Sequence, residues 1–316
     1  ISSLLIVGCN TEELEDTDAI FSQEAPNFKS EKIEGQYIVV LNSVGPRAAV
    51  IPGNYQDRLN AVKKTAESLL KRTGIDKFEI MHAYAASIIG FSVKGINATQ
   101  AELLARDSQV SLVEQDQTMH IFGGPPGSGG SACANGTSEV TPCGIPLVNG
   151  GANYTGSRKA YILDSGIDLT HPDLNVANYG FNGTTENDLN DGSGHGSHVA
   201  GTIGAIGGNG IGVVGVAAGA LVVPVKVLNR RGSGTNSGVI AGVDYVGANG
   251  NAGDVANMSL GGGASSALDN AVVAASSGGV WFVIAAGNDA ANANNYSPAR
   301  ANGAYVRTIA SMTCNG

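Results

Sequence analysis

The chain has 316 residues, 42% of them hydrophobic and 14% charged, enough for a substantial globular core in one large domain plus a smaller one. Forty-six glycines, placed singly inside apolar stretches, exclude a helical bundle and suit tight strand-to-helix turns. A formal net charge of −9 excludes a nucleic-acid partner from the expectations, because a phosphate backbone calls for clustered Lys and Arg.

The first residue is Ile1, and Ser2 to Gly8 is a small-and-apolar run ending at Cys9. It is too short to span a bilayer but fits the tail of a signal-peptide apolar region. Ile6-Val7-Gly8-Cys9 reads either as a lipobox, with Cys9 lipidated and the precursor anchored to a membrane, or as a chance cysteine behind a plain signal peptide. Both readings send the protein out of the cytoplasm. Residues 1–35 are therefore expected to be a signal or lipobox remnant followed by an acidic tether.

Residues 36–122 carry the first regular pattern. Tyr37 to Leu41 predicts a strand, and apolar residues at Leu59, Val62, Ala66, Leu69 and Leu70 predict a helix over Tyr55 to Arg72, capped by Gly74. Lys77 to Met81 and Ala85 to Val93 read as strands. Thr99-Gln100-Ala101-Glu102 reads as a capping box opening a helix to Arg106, and Val110 to Val113 as a closing strand. The order β-α-β-β-α-β is the ferredoxin-like split unit, a small α+β domain.

Residues 123–138 begin Gly-Gly-Pro-Pro-Gly-Ser-Gly-Gly, a linker composition and an expected site of proteolytic processing. Cys133 and Cys143 lie close together at its far end, and a disulfide between them is expected in an oxidising compartment. Cys314 is left without an assigned partner.

From 139 to 316 the period changes to strand, glycine turn, helix. Ala160 to Leu163, Leu221 to Leu228, Val255 to Leu260 and Val280 to Ala286 are mostly continuous apolar runs, as in buried parallel strands. Ser237 to Ala248 and Ser266 to Ala275 read as helices between them. The fold class is α/β: a covered parallel sheet with helices on both faces and its functional face at the carboxyl ends of the strands.

The polar residues fall at those ends. Asp164 follows the first strand in Asp164-Ser165-Gly166, and Asn288 follows the last in Ala286-Gly287-Asn288; each alone would be an ordinary turn residue. His195 and His198 open a helix in His195-Gly196-Ser197-His198-Val199-Ala200-Gly201. The pair could share a metal, but the Glu and spacing of H-E-x-x-H are absent, so no metal site is assigned.

Taken together and in order, these segments resemble the subtilisin-like (peptidase S8) serine proteases, and residues 36–122 resemble their inhibitor I9-type propeptide. Asp164-Ser165-Gly166 resembles the D-[ST]-G motif, His195 to Gly201 the H-G-[ST]-H-V-A-G motif, and Ala286-Gly287-Asn288 the oxyanion-hole A-G-N. Ser259-Leu260-Gly261 resembles the strand beside the substrate's P1 side chain, and Gly232-Ser233-Gly234 the opposite edge of the cleft. Thr141-Pro142-Cys143-Gly144-Ile145 resembles the stretch near a mature N-terminus.

The resemblance implies a secreted endopeptidase zymogen. His195 would be general base and then general acid, Asp164 would orient and charge-stabilise it, and Asn288 would donate to the oxyanion. His198 would be structural. The implied partners are protein or peptide substrates and the chain's own propeptide as an intramolecular inhibitor, with Thr118 to Phe122 running through the cleft as a product-like strand between Gly232–Gly234 and Ser259–Gly261, and with a monomer expected. No cofactor is required for catalysis; structural calcium is common in the family, but its ligands are not assignable from the sequence.

One element of the family pattern does not occur in the 316 residues. The nucleophile segment G-T-S-x-[AS]-x-P is missing, and Ser311, in Ala310-Ser311-Met312, has neither the preceding Gly-Thr nor the following Pro. The expectation is the front portion of a longer precursor, with the catalytic sheet cut short and the fragment itself inactive. The alternative is a non-catalytic pseudoprotease or inhibitor-like binding protein. Reading the gene past Gly316 discriminates the two.

Overall fold

The computed structural model describes residues 30–42, 53–122 and 138–311. Cys9, Cys133 and Cys314, residues 1–29 of the expected leader and tether, and the linker over 123–137 lie outside the described residues.

The first unit runs β1 (Lys32–Leu41), α1 (Tyr55–Arg72), β2 (Glu79–Tyr84), β3 (Gly90–Lys94), α2 (Ala98–Ala105) and β4 (Val110–Ile121). Its antiparallel strand order, β4-β1-β3-β2, is that of the ferredoxin-like unit. Helix α1 buries Val62, Ala66, Leu69 and Leu70, the positions its 3.6-residue period selects. The segment predicted as tether ends earlier than expected. Lys32 already pairs with Gln117, because a cross-strand partner at the far end of β4 continues the ladder.

Two other boundaries differ for local reasons. Asn97, not Thr99, caps α2: its side chain accepts from Gln100 N while Gln100 returns to the Asn97 N–H. Asn97 stands three residues before a Gln, the spacing that a reciprocal box needs. Residues 85–89 form a bend rather than the start of β3, and their backbone is held by a residue far along the chain, described below.

The second unit begins with the short α3 (Gly144–Leu147), β5 (Ala152–Asn153), β6 (Lys159–Asp164), β7 (Asn175–Val176) and β8 (Phe181–Asn182). Then follow α4 (His195–Gly204), β9 (Ala217–Ala218), β10 (Leu221–Lys226), β11 (Ser233–Thr235) and α5 (Asn236–Asn249). The remainder is β12 (Val255–Met258), β13 (Leu260–Gly263), α6 (Ser266–Ser276), β14 (Trp281–Ala285), β15 (Tyr296–Ser297) and β16 (Val306–Ile309).

The main sheet, β16-β14-β12-β6-β10-β7 with β8 also on β10, is parallel throughout. Side chains of β6 alternate between two cores. Ala160 and Ile162 pack with Ala200 of α4, whereas Tyr161 and Leu163 pack with Val239, Ile240 and Val243 of α5. Helices therefore cover both faces, as the continuous apolar runs predict.

The two units are joined by one strand. β4 does not end at Val113, the predicted close of the first unit's strand, but runs without a break into the expected cleft segment as far as Ile121. It leaves the first sheet and enters a cleft of the second unit, where Thr118, Met119 and His120 pair antiparallel with Thr235, Gly234 and Ser233. On its other edge Met119, His120 and Ile121 pair antiparallel with Gly262, Gly261 and Leu260. A strand paired on both edges satisfies all of its main-chain groups. Met119 and Ile121 join the same core as Leu163 and Leu260.

Candidate active site

Asp164 is the last residue of β6, fully buried at the carboxyl end of a central strand. Its carboxylate accepts from Ser165 N at 2.7 Å. His195 is the first residue of α4, with Gly194 before it in the left-handed region at φ 87°. There the imidazole reaches Asp164, with Nδ1 at 2.8 Å from Oδ1 and 2.9 Å from Oδ2. Because a carboxylate can only accept, Nδ1 carries the proton and Nε2 faces the cleft.

Gly196 makes that approach possible, since a Cβ there would collide with the Gly166 carbonyl. The helix start is pressed onto the turn after β6, and Asp168 N donates to Ser197 Oγ at 2.9 Å.

On the cleft side His195 Nε2 stands 3.3 Å from the carbonyl oxygen of Phe122. Phe122 N donates to Ser259 O at 3.2 Å and Ile121 N to Gly232 O at 3.0 Å, so residues at both predicted cleft edges hold this strand end. The Phe122 ring lies over Gly261, where a Cβ would overlap it, and 3.7 Å from a Cβ placed on Gly287. Ala286, Gly287 and Tyr296 form the wall beside it. Met119 sits against Gly262, leaving 2.6 Å between its sulfur and a Cβ placed there. The glycines thus leave the space that large apolar side chains occupy.

The His195 pKa is raised. Burial acts to lower it, but the Asp164 hydrogen bond and charge, the Phe122 carbonyl and the Asp191 charge outweigh burial. A hydrogen bond from Nε2 to the Phe122 oxygen needs the imidazolium. The raised pKa therefore means that this contact is fully present below the ordinary histidine pKa and is lost as pH rises through the elevated value.

The structure thus brings Asp164 and His195 together and sets Gly232, Ser233, Gly234, Ser259, Leu260 and Gly261 along both edges of one strand. Asn288 is not brought to the Phe122 carbonyl by any contact. It lies exposed in the turn after β14 and makes no hydrogen bond among the described residues. His198 is exposed on α4. Among the described residues no serine hydroxyl is hydrogen-bonded to His195, and no cluster of His, Cys, Asp or Glu suits a metal ion. Cys143, next to α3, is not a free thiol.

Asp191 and Asp244 were not singled out by sequence, and Lys226 was read only as part of the strand Leu221 to Leu228. Asp191 accepts four hydrogen bonds at the α4 start, Lys226 is a fully buried ammonium under the Ser165 carbonyl, and Asp244 is a buried carboxylate on α5. Only Asp191 had a local signal, an Asp four residues before the helix.

Comparison with known proteins fits this geometry. Residues 160–315 match the subtilase family (peptidase S8) and residues 36–122 match peptidase inhibitor I9. An extracellular serine proteinase of Thermus sp. (strain Rt41A) is 36% identical over 299 residues, covering 91% of this chain and 70% of the relative. Alkaline serine exoprotease A of Vibrio alginolyticus is 40% identical over 244 residues, covering 75% of this chain but 44% of the relative. The chain thus spans less than half of that Vibrio protein. Fervidolysin of Fervidobacterium pennivorans, a keratinolytic enzyme related to subtilisin, shares the fold at a TM-score of 0.59 and 22% identity, over 85% of this chain and 42% of that one. With a buried Asp–His pair at the strand ends and an inhibitor-type unit laid into its cleft, this chain belongs to the subtilase family.

Proposed function

We propose that the chain is the propeptide and the Asp–His part of an extracytoplasmic serine endopeptidase zymogen. One observation carries the reading. The backbone of Thr118 to Phe122 is paired on both edges, and its last carbonyl lies beside the one imidazole that is oriented by a buried carboxylate. Strand addition gives affinity through main-chain bonds, and the side-chain sites give selectivity.

In the reaction, a serine hydroxyl would lose its proton to His195 Nε2 as its oxygen bonds to the scissile carbonyl carbon. Asp164 would stabilise the imidazolium so formed, and the same proton would pass to the leaving amine as the C–N bond breaks. Asn288 would donate to the oxyanion. No serine of this sequence is assigned as the nucleophile. The inhibitor-type unit would block the cleft until it is cut away. The Thermus relative, an extracellular serine proteinase, supports the compartment. Among the described residues no helix is long and apolar enough to cross a membrane.

Processing is expected on the carboxyl side of Phe122, whose carbonyl lies beside His195 Nε2. N-terminal sequencing of the mature enzyme from the full-length gene checks this. A start at Gly123, or a few residues later after trimming, agrees; a start before Val110 or after Cys143 overturns the reading.

In the same compartment Cys143 is expected to pair with Cys133. Thiol labelling of protein recovered without reductant should leave both unmodified, and two reactive thiols would exclude the bond.

A further inference from the structure

Asp191 lies between the two catalytic candidates and is bonded towards both. Its Oδ1 accepts from Ser165 Oγ at 2.8 Å, Ser193 N at 2.9 Å and Gly194 N at 2.8 Å, and its Oδ2 accepts from Ser197 N at 2.8 Å. The Gly194 and Ser197 amides bracket His195 at the α4 N-terminus. On the other side Ser165 is the link to Asp164. Its hydroxyl has one proton, lies nearer to Asp191 than to Asp164 Oδ1, which is at 3.2 Å, and accepts from Gly196 N at 3.1 Å.

From this geometry we infer that Asp191 is a positioning residue for the Asp164–His195 pair, acting on the carboxylate through Ser165 and on the imidazole through the start of α4. The inference rests on reading that pair as catalytic.

The charge matters as well as the bonds. Burial would raise the Asp191 pKa, but the donors from Ser197, Ser165 and Gly194 lower it, so Asp191 stays ionised. It is then a second negative charge acting on His195 besides Asp164. Its other charged neighbour is Asp168, in the turn that Ser197 Oγ holds. Lys226, with Nζ 2.6 Å from Ser165 O, 2.9 Å from Asn190 O and 3.0 Å from Glu186 Oε2, clamps the loops on either side. A carboxylate serving only as a helix cap would need none of the connection through Ser165.

The test is an NMR titration of His195 in this 316-residue chain, assigned with His195→Gln, which reads the pair whether or not it turns over substrate. Asp191→Asn keeps the size and the Oδ1 acceptor but removes the charge and the acceptor for Ser197 N. It is expected to lower the His195 pKa by on the order of half a pH unit. Ser165→Ala keeps Asp191, its charge and the Ser165 N–H bond to Asp164 but removes the hydroxyl that Asp191, Asp164 and Gly196 N share, and is expected to weaken the downfield Nδ1–H signal that reports the Asp164 bond. An unchanged titration in a folded Asp191→Asn variant, or an unchanged Nδ1–H signal in Ser165→Ala, overturns the inference. Ser165→Ala decides alone if Asp191→Asn does not fold. The catalytic reading fails separately, if His195→Ala leaves peptidase activity intact.

Discussion

His195→Ala is expected to lower kcat of the enzyme carrying this chain by about a million-fold, the size that loss of the base has in serine proteases of this family. It should also leave the precursor uncut. The expectation follows from position: His195 is 8% exposed, reaches Asp164 at 2.8 Å, and is the imidazole facing the Phe122 carbonyl. His198, one turn further along α4, is exposed, so His198→Ala should change stability by no more than about 0.5 kcal/mol and leave kcat within a few-fold. Steady-state kinetics and circular dichroism on both variants check the pair. Equal losses of kcat in two folded variants would mean that the wrong histidine has been assigned.

The contrast between the two histidines marks where sequence sufficed. Parallel strands are buried on both faces, so Ala160 to Leu163 and Val280 to Ala286 stand out as apolar runs, and the polar residues at their ends stand out from them. The roles of Asp164 and His195, and both edges of the cleft around Gly232 to Gly234 and Ser259 to Gly261, were legible only through the resemblance to family motifs, each residue alone being an ordinary turn or helix-start residue. Helix boundaries followed the same logic: α1 starts and ends at Tyr55 and Arg72, as its apolar spacing requires.

What stayed hidden depends on partners distant in the chain. Ala85 to Ile89 is apolar and was read as strand, but Asp244, more than 150 residues on, takes its amides and bends it. β4 was read in two pieces, Val110 to Val113 in the first unit and Thr118 to Phe122 in the cleft, because the polar run Glu114 to Gln117 interrupts its apolar pattern. The cleft partners of the second piece are Ser233, Gly234 and Thr235 of β11 and Leu260, Gly261 and Gly262 of β13, at the two edges expected for it. Asn288 shows the converse limit. A motif names a residue, whereas its placement depends on the turn that carries it, and here that turn is exposed.

Asp244 also sets the second large expected effect, on how tightly the inhibitor-type unit is held. This fully buried carboxylate accepts from Tyr55 Oη at 2.9 Å, Ala85 N at 2.9 Å, Ala86 N at 2.8 Å, and Ser87 N and Oγ at 2.6 and 2.8 Å. Five donors of one unit thus converge on one side chain of the other. Asp244→Ala would leave three backbone amides facing a void, and a lost charge-assisted cluster of this kind costs about 3 kcal/mol, or roughly a hundred-fold in affinity. Two contacts run the opposite way, from the first unit to helix N-termini of the second. Asp116 accepts from Ser237 N at 3.1 Å and Glu114 from Ser266 N at 2.9 Å, favourable places for negative charge. They are expected to matter less. Burial pushes the Asp116 carboxyl above the usual carboxylate range and its donors offset that only in part, while Glu114 has one oxygen without a partner among the described residues. Inhibition of the mature enzyme by the separately produced propeptide measures the difference. Asp244→Ala in the enzyme should raise the inhibition constant about a hundred-fold and leave kcat/KM for a short peptide unchanged, since Asp244 lies on α5 outside the paired strand. Asp116→Asn in the propeptide should raise it only several-fold. An inhibition constant for Asp244→Ala within three-fold of the parent, or a larger loss for Asp116→Asn, would show that the paired strand alone holds the inhibitor in place.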